Sequence, residues 1–89
     1  MKYAFEFTAA ARRQFNAIDQ TTALLVLHVL SRLGDDPYRD DADVEKLSGH
    51  DDLYRLRVGS YRIAYVIEDG RLVILVVEVG HRREIYRRL

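Results

Sequence analysis

Several residue types that would indicate particular classes of protein are absent or scarce in this chain of 89 residues. There is no cysteine, and proline occurs only once. Without cysteine the chain has no disulfide framework, thiolate metal site or thiol nucleophile. The single proline and the five glycines exclude a collagen-like or low-complexity chain. The composition, 48% hydrophobic and 31% charged, is typical of a folded globular protein, and the length predicts one domain over residues 1–89.

Long apolar runs are also missing. The longest, Leu72 to Val77, is much shorter than the roughly 20 residues that a membrane-spanning helix needs. The segment from Met1 to Glu6 lacks the apolar stretch of a signal peptide. We therefore expect a cytoplasmic protein with no membrane partner.

Charge is balanced in total but not along the chain. The 14 basic and 14 acidic side chains give a net charge of +0. Residues 1–52 hold six basic and ten acidic side chains, a charge of −4, whereas residues 53–89 hold eight arginines and four acids, a charge of +4. A neutral total argues against non-specific coating of nucleic acid, but it is compatible with a local basic site.

The periodicity of the first half predicts a strand followed by two helices. Alternation predicts the strand over residues 2–8, and helical spacing predicts helices over residues 9–18 and 20–33, capped by Thr8 and Asp19. The second helix would bury Leu33 together with one of two alternative sets: Leu24, Leu27 and Leu30, or Val26 and Val29.

The second half predicts an antiparallel sheet. Residues 35–52 form a polar connection, with one helical turn near Val44 to Leu47. Strands follow over residues 53–58, 61–67 and 71–79, and the tail from His81 to Leu89 has helical spacing. The expected fold is α+β: an N-terminal strand and helical hairpin packed on a mostly antiparallel four-stranded sheet, with a short C-terminal helix.

Two-residue turns at Gly59-Ser60 and Asp69-Gly70 would fix the register of both hairpins. In the first hairpin Arg57 faces Arg62, and in the second Arg62 faces Val77. One face would then form the core, with residues Tyr54, Leu56, Ile63, Tyr65, Ile74 and Val76.

The opposite face would carry three arginines, Arg55, Arg57 and Arg62. Like charges across an antiparallel pair repel each other, and arginine binds phosphate through paired N–H donors. The one acid predicted on this face, Glu68, lies at its far end beside Arg71. The pattern therefore indicates an anion site, unless acids of the connection, such as Asp51 or Asp52, fold over it.

The tail can extend this site. Arg82 and Tyr86 are four residues apart and share a helix face, which could approach the arginines of the sheet. Tyr86 could stack on a base or donate a proton, or it could simply pack. His81 is a further candidate for proton transfer, although a lone histidine beside arginines is usually a surface residue. No metal-ligand spacing, phosphate loop or catalytic triad is present, so no cofactor is expected.

Two segments resemble the RelE/ParE toxins of bacterial type II toxin–antitoxin systems. They are Leu-Tyr-Arg-Leu-Arg-Val-Gly-Ser-Tyr-Arg-Ile-Ala-Tyr from Leu53 to Tyr65, and Val-Gly-His-Arg-Arg-Glu-Ile-Tyr from Val79 to Tyr86. The order of elements and the length are similar as well, and the RelE branch is the more similar one.

The resemblance implies a metal-independent, ribosome-dependent mRNA endonuclease, in which a ribose 2′-hydroxyl attacks the adjacent phosphate of an A-site codon. It also implies a cognate antitoxin as partner, with DNA contacted only through that antitoxin. The matching site positions are Arg55, Arg57, Arg62, Arg82 and Tyr86. The family pattern has lysines at the first two, and arginine does not lose its proton, so His81 or Tyr86 would act as general base. The alternatives are a ParE-like inhibitor of DNA gyrase and an inactive toxin-like binding partner.

Overall fold

The predicted strands and helices of residues 2–81 occur in the predicted order, with one additional short strand. The structure is a computed structural model that describes residues 2–38, 44–46 and 53–81. Its elements are β1 (Ala4–Phe7), α1 (Ala9–Asn16), α2 (Gln20–Asp35), β2 (Val44–Lys46), β3 (Leu53–Val58), β4 (Tyr61–Glu68) and β5 (Val73–His81). The α+β class is confirmed, and the predicted C-terminal helix lies outside the described residues.

Both helices begin at the predicted capping residues. The Thr8 side chain accepts a hydrogen bond from the backbone N–H of Ala11 at 3.1 Å, and the Asp19 carboxylate accepts one from Thr22 at 3.0 Å. Each bond satisfies a donor that has no partner in the first helical turn. Of the two sets predicted for α2, the one with Val26 and Val29 packs on the core, and Leu30 of the other set is buried beside it.

The buried side of α2 carries Val26, Leu30 and Leu33, all at most 1% exposed, whereas Leu24 and Leu27 are 59% and 45% exposed. The predicted core face of the sheet is confirmed, because Leu56, Ile63, Tyr65, Ile74 and Val76 are buried and Tyr54 packs against them.

The described strands form one sheet in the order β1-β5-β4-β3-β2. β1 runs parallel to β5, and the other neighbours are antiparallel. The sheet of the described chain has five strands where four were predicted, because Val44–Lys46 forms β2 and not a helical turn. Three residues show too little alternation to predict a strand. They become one by pairing with the backbone groups at the edge of β3.

The register of the first hairpin is as predicted, with Arg57 opposite Arg62. The second hairpin was predicted wrongly. Its turn is a 3₁₀ segment over Asp69–Arg71, followed by Leu72 in the left-handed region at φ 53°. β5 therefore begins later in the sequence. Ile67 lies opposite Ile74, whereas the prediction placed Leu72 opposite Ile67.

A β-bulge shifts the register of β5 once more. Tyr65 lies opposite Val76, but Ala64 lies opposite Glu78, so one strand holds an extra residue at this point. Arg62 consequently faces Gly80, and Val77 does not lie opposite it as predicted. The bulge also moves Glu78 onto the face that carries the arginines.

The α1 helix covers the edge of β5 beyond the end of β1. The Thr8 backbone N–H donates to the Val76 carbonyl at 3.0 Å. Gln14 accepts from the Val79 N–H at 2.8 Å and donates to Glu78 at 2.5 Å. These bonds replace the strand partner that β5 lacks there.

Two tyrosines hold the second turn in place. The Asp69 carboxylate accepts hydrogen bonds from the hydroxyls of Tyr3 at 2.6 Å and Tyr38 at 2.7 Å. The bonds stabilise the ionised form, so they lower the pKa of Asp69, and they raise the pKa of Tyr38.

The helices within residues 2–38, 44–46 and 53–81 lack the combination of length and apolar character that a membrane crossing requires.

Candidate nucleic-acid interface

The centre of the candidate interface is the pair Arg57 and Arg62, on either side of the β3–β4 turn. They lie directly opposite each other, and Arg62 in turn lies opposite Gly80. Arg57 is exposed. Arg62 is only 6% exposed, and its Nη1 donates to the Tyr61 carbonyl at 3.3 Å. Two guanidinium groups on adjacent strands can bind one phosphate through several charge-assisted hydrogen bonds.

Arg55, the third predicted site arginine, is paired with an acid of its own chain. Glu45 lies opposite Arg55 in the β2–β3 ladder, and its Oε1 accepts a hydrogen bond from Arg55 Nη2. The prediction that Glu68 is the one acid on this face was therefore wrong. Glu45 and Glu78 share the face, because β2 and the bulge were not predicted.

Glu68 itself lies at the far end of the hairpin, as predicted. It forms an ion pair with Arg71 at 2.6 Å, and Arg71 also binds Glu6 at 2.9 Å. The other proposed neutralising acids, Asp51 and Asp52, lie outside the described residues.

His81 ends β5 opposite Tyr61. Its ring meets the Tyr61 ring edge-on, with 6.1 Å between the ring centroids and 70° between the planes. Because side chains alternate along a strand, His81 projects from the face opposite to that of Arg62. The described structure thus brings together Arg55, Arg57 and Arg62, and it places His81 at the end of the same sheet but on its other face.

The remaining predicted site residues, Arg82 and Tyr86, lie outside the described residues. Gly80, two residues before position 82 in the sequence, lies directly opposite Arg62, and β5 ends one residue later at His81.

Sequence reasoning missed Glu45 and Glu78 as members of this face. The residue types gave no signal, because Glu45 belongs to an acidic run that is typical of a loop, and the bulge has no sequence signature of its own. Only the pairing of strands brings these acids to the arginines. Among residues 2–38, 44–46 and 53–81, no group of three histidine, aspartate or glutamate residues could hold a metal ion.

Comparison with known proteins agrees with the fold. Residues 3–86 match a family model described as the ParE toxin of the type II toxin–antitoxin system parDE. The chain therefore belongs to the RelE/ParE family of toxins of type II toxin–antitoxin systems.

Individual relatives carry RelE-type names. Toxin RelG of Mycobacterium tuberculosis is 31% identical over 90 residues, which cover 99% of this chain and 100% of RelG. The toxin in the crystal structure of the intact Escherichia coli RelBE toxin–antitoxin complex is similar with a TM-score of 0.77 and 27% identity, over 89% of this chain and 95% of that one. The archaeal RelE–RelB complex from Pyrococcus horikoshii gives a TM-score of 0.78 and 27% identity, over 92% and 97% of the two chains.

Proposed function

We propose that this toxin is a ribosome-dependent endonuclease that cleaves mRNA codons in the A site and thereby stops translation. The observation that carries the proposal is the Arg57–Arg62 pair, with the end of β5 on the other side of Arg62. Guanidinium groups held in this way can bind a phosphate and stabilise the charge that develops on it during cleavage. A ribosomal target places the toxin in the cytoplasm.

The proposed reaction uses the ribose 2′-hydroxyl of the substrate as nucleophile, so it requires no cofactor. Arg57 and Arg62 contact the phosphate, joined by Arg55 and Arg82. Tyr86 stacks on the nucleotide at the cut. Arginine does not lose its proton, and His81 projects from the other face of the sheet, so the proposed general base is Tyr86.

A cognate antitoxin is the proposed protein partner. Two of the structural relatives were crystallised as complexes of a RelE toxin with RelB. We propose that an antitoxin binds this chain in the same manner, holds it inactive, and provides the only contact with DNA.

Inhibition of DNA gyrase is the second candidate function, because the matching family model is described as the ParE toxin. One experiment separates the two. The purified chain is incubated with programmed ribosomes and mRNA and, separately, with gyrase and relaxed plasmid. We expect A-site cleavage and normal supercoiling, whereas intact mRNA with blocked supercoiling would refute the nuclease. No effect in either assay would indicate an inactive binding partner.

Substitution of the arginine pair tests the site. Arg57→Ala and Arg62→Ala should each lower the cleavage rate roughly 100-fold or more, because a phosphate contact is lost in the transition state. Arg71→Ala is the matched control, since Arg71 lies at the far end of the sheet. Circular dichroism must show that the Arg62 variant is folded, as Arg62 is nearly buried. Full activity of both variants would refute the assignment.

A further inference from the structure

The α1 helix carries two adjacent arginines, Arg12 and Arg13, and no acidic residue. Both side chains are exposed. The acidic charge of the first half of the chain lies elsewhere, because eight of its ten acids belong to residues 35–52. Residues 1–34 hold four basic and two acidic side chains, a charge of +2. The exposed side of α1 is therefore a positively charged surface.

The contacts of α1 with β5 place these arginines beside the candidate interface. Gln14, the residue after Arg13, accepts a hydrogen bond from the Val79 N–H at 2.8 Å. Val79 precedes Gly80, which lies opposite Arg62. The last turn of α1 thus lies next to the end of β5 that adjoins the arginine pair, and its arginines extend the positive surface beyond the edge of the sheet.

We infer that the α1 arginines, Arg12 and Arg13, form a second RNA-binding surface, which contacts the phosphate backbone of ribosomal RNA outside the cleaved codon. This inference rests on the proposed nuclease function and adds a binding surface to it. A nuclease that acts only on the ribosome needs contacts with the ribosome itself. A chain of net charge +0 attracts RNA through local positive surfaces of this kind.

The distance between α1 and the arginine pair assigns them to different phosphates. β5 lies between α1 and β4, the strand that holds Arg62. Neighbouring strands are about 4.8 Å apart, and a helix with its side chains is about 10 Å across. The exposed side of α1 is therefore on the order of 15 Å from the backbone of β4. The α1 arginines take no part in cleavage, because the phosphate at the arginine pair is out of their reach.

Both guanidinium groups are available to a phosphate. Within residues 2–38, 44–46 and 53–81, no carboxylate forms an ion pair with Arg12 or Arg13. The Arg12 guanidinium carbon lies 5.3 Å from the centroid of the Phe7 ring. This cation–π contact holds the side chain, but an aromatic ring is a weak hydrogen-bond acceptor, so the N–H donors can still bind a phosphate.

Stabilisation of the helix end is the other role that Arg13 can have, because a cation in the last turn interacts favourably with the helix dipole. Arg32 occupies the last turn of α2 in the same way and is also exposed. It lies two residues before Gly34, whose carbonyl accepts from the Tyr3 N–H at 2.9 Å, at the end of the sheet opposite to the arginine pair. Arg32→Ala is thus a matched control for Arg13→Ala.

The test measures ribosome binding as a function of salt, together with kcat, KM and the melting temperature. Arg13→Ala should weaken binding and raise KM roughly fivefold at unchanged kcat, because one phosphate contact is lost. The slope of log affinity against log salt concentration should fall by about 1. Arg13→Lys, which keeps the charge, should recover most of the affinity. Arg32→Ala should bind like the wild type and melt at the same temperature as Arg13→Ala. Ribosomes without mRNA should show the same loss for Arg13→Ala.

The contrary results are distinguishable. Arg13→Ala that binds as tightly as Arg32→Ala, or that loses affinity without a change in the salt slope, refutes the surface and leaves the nuclease function intact. A loss seen only on ribosomes that carry mRNA assigns the contact to the mRNA and overturns the inference. A wild-type protein that binds ribosomes through Arg13 but cleaves no mRNA refutes the nuclease alone. A wild-type protein that does neither overturns both.

Discussion

Replacing Tyr65 with phenylalanine should make the protein more stable. Tyr65 lies in the core on β4 and is 0% exposed. Its ring stacks on that of Tyr54, with 5.7 Å between centroids and 15° between the ring planes. The ring is therefore well packed, but the hydroxyl is buried and has no hydrogen-bond partner within the part of the chain that the structure describes.

The size of the gain follows from this missing partner. A buried polar group without a hydrogen bond costs about 1–3 kcal/mol of desolvation free energy. Phenylalanine keeps the ring contacts and removes that cost, while the small space left by the oxygen offsets part of the gain. We expect the free energy of unfolding to rise by about 1 kcal/mol, which for a domain of this size corresponds to an increase in melting temperature of roughly 4–8 °C.

Urea and thermal unfolding at neutral pH measure this effect. Tyr3→Phe provides a control of opposite sign, because the Tyr3 hydroxyl donates to Asp69 at 2.6 Å and its loss should destabilise the protein. Burial also raises the pKa of Tyr65. Its neutral form thus supports folding fully below about pH 10, and this contribution is lost as pH rises further. Tyr65→Phe should lose less stability in alkali than the wild type. A variant less stable than the wild type at neutral pH would show that the hydroxyl is satisfied in solution.

Two further substitutions test the second turn and the first cap. The pKa of Asp69 is lowered by the Tyr3 and Tyr38 hydroxyls, so its carboxylate stabilises the fold above about pH 4 and loses this effect as pH falls through the lowered pKa. Asp69→Asn should therefore show a smaller acid-induced loss of stability than the wild type. If the stability of both proteins depended on pH in the same way, the hydrogen bonds from Tyr3 and Tyr38 to Asp69 would be contradicted. Thr8→Ala should lower the free energy of unfolding by about 1 kcal/mol in urea, through loss of the α1 cap. Thr21→Ala, at an exposed position of α2, should change it little.

The first hairpin could be predicted because its register depends on local chemistry. Gly59 adopts φ 58°, a conformation that glycine reaches without strain, and two residues suffice to reverse the chain. The alternation of Leu56 with its neighbours then fixes which face is buried. The arginine pair could be derived from the sequence for this reason.

The second hairpin depends on contacts that are remote in sequence. Asp69-Gly70 is a typical two-residue turn, yet the chain makes a longer turn in which Leu72 adopts positive φ. Nothing in the residue type of Leu72 predicts this conformation. The turn is held by Tyr3 and Tyr38, which are 66 and 31 residues away from Asp69. Tertiary hydrogen bonds of this kind leave no local pattern.

These errors affect the site in opposite directions. The predicted patch overestimated the positive charge of the face, since Arg55 is bound by Glu45. It also underestimated how near the tail begins. The prediction placed Val77 opposite Arg62, five residues before position 82. The structure places Gly80 there, two residues before position 82. The longer turn and the bulge together thus replace Val77 by Gly80 as the residue opposite Arg62, one residue before the end of β5. Recognition of RNA at this point would depend on the placement of a few guanidinium groups and not on their number, which is consistent with a chain of net charge +0.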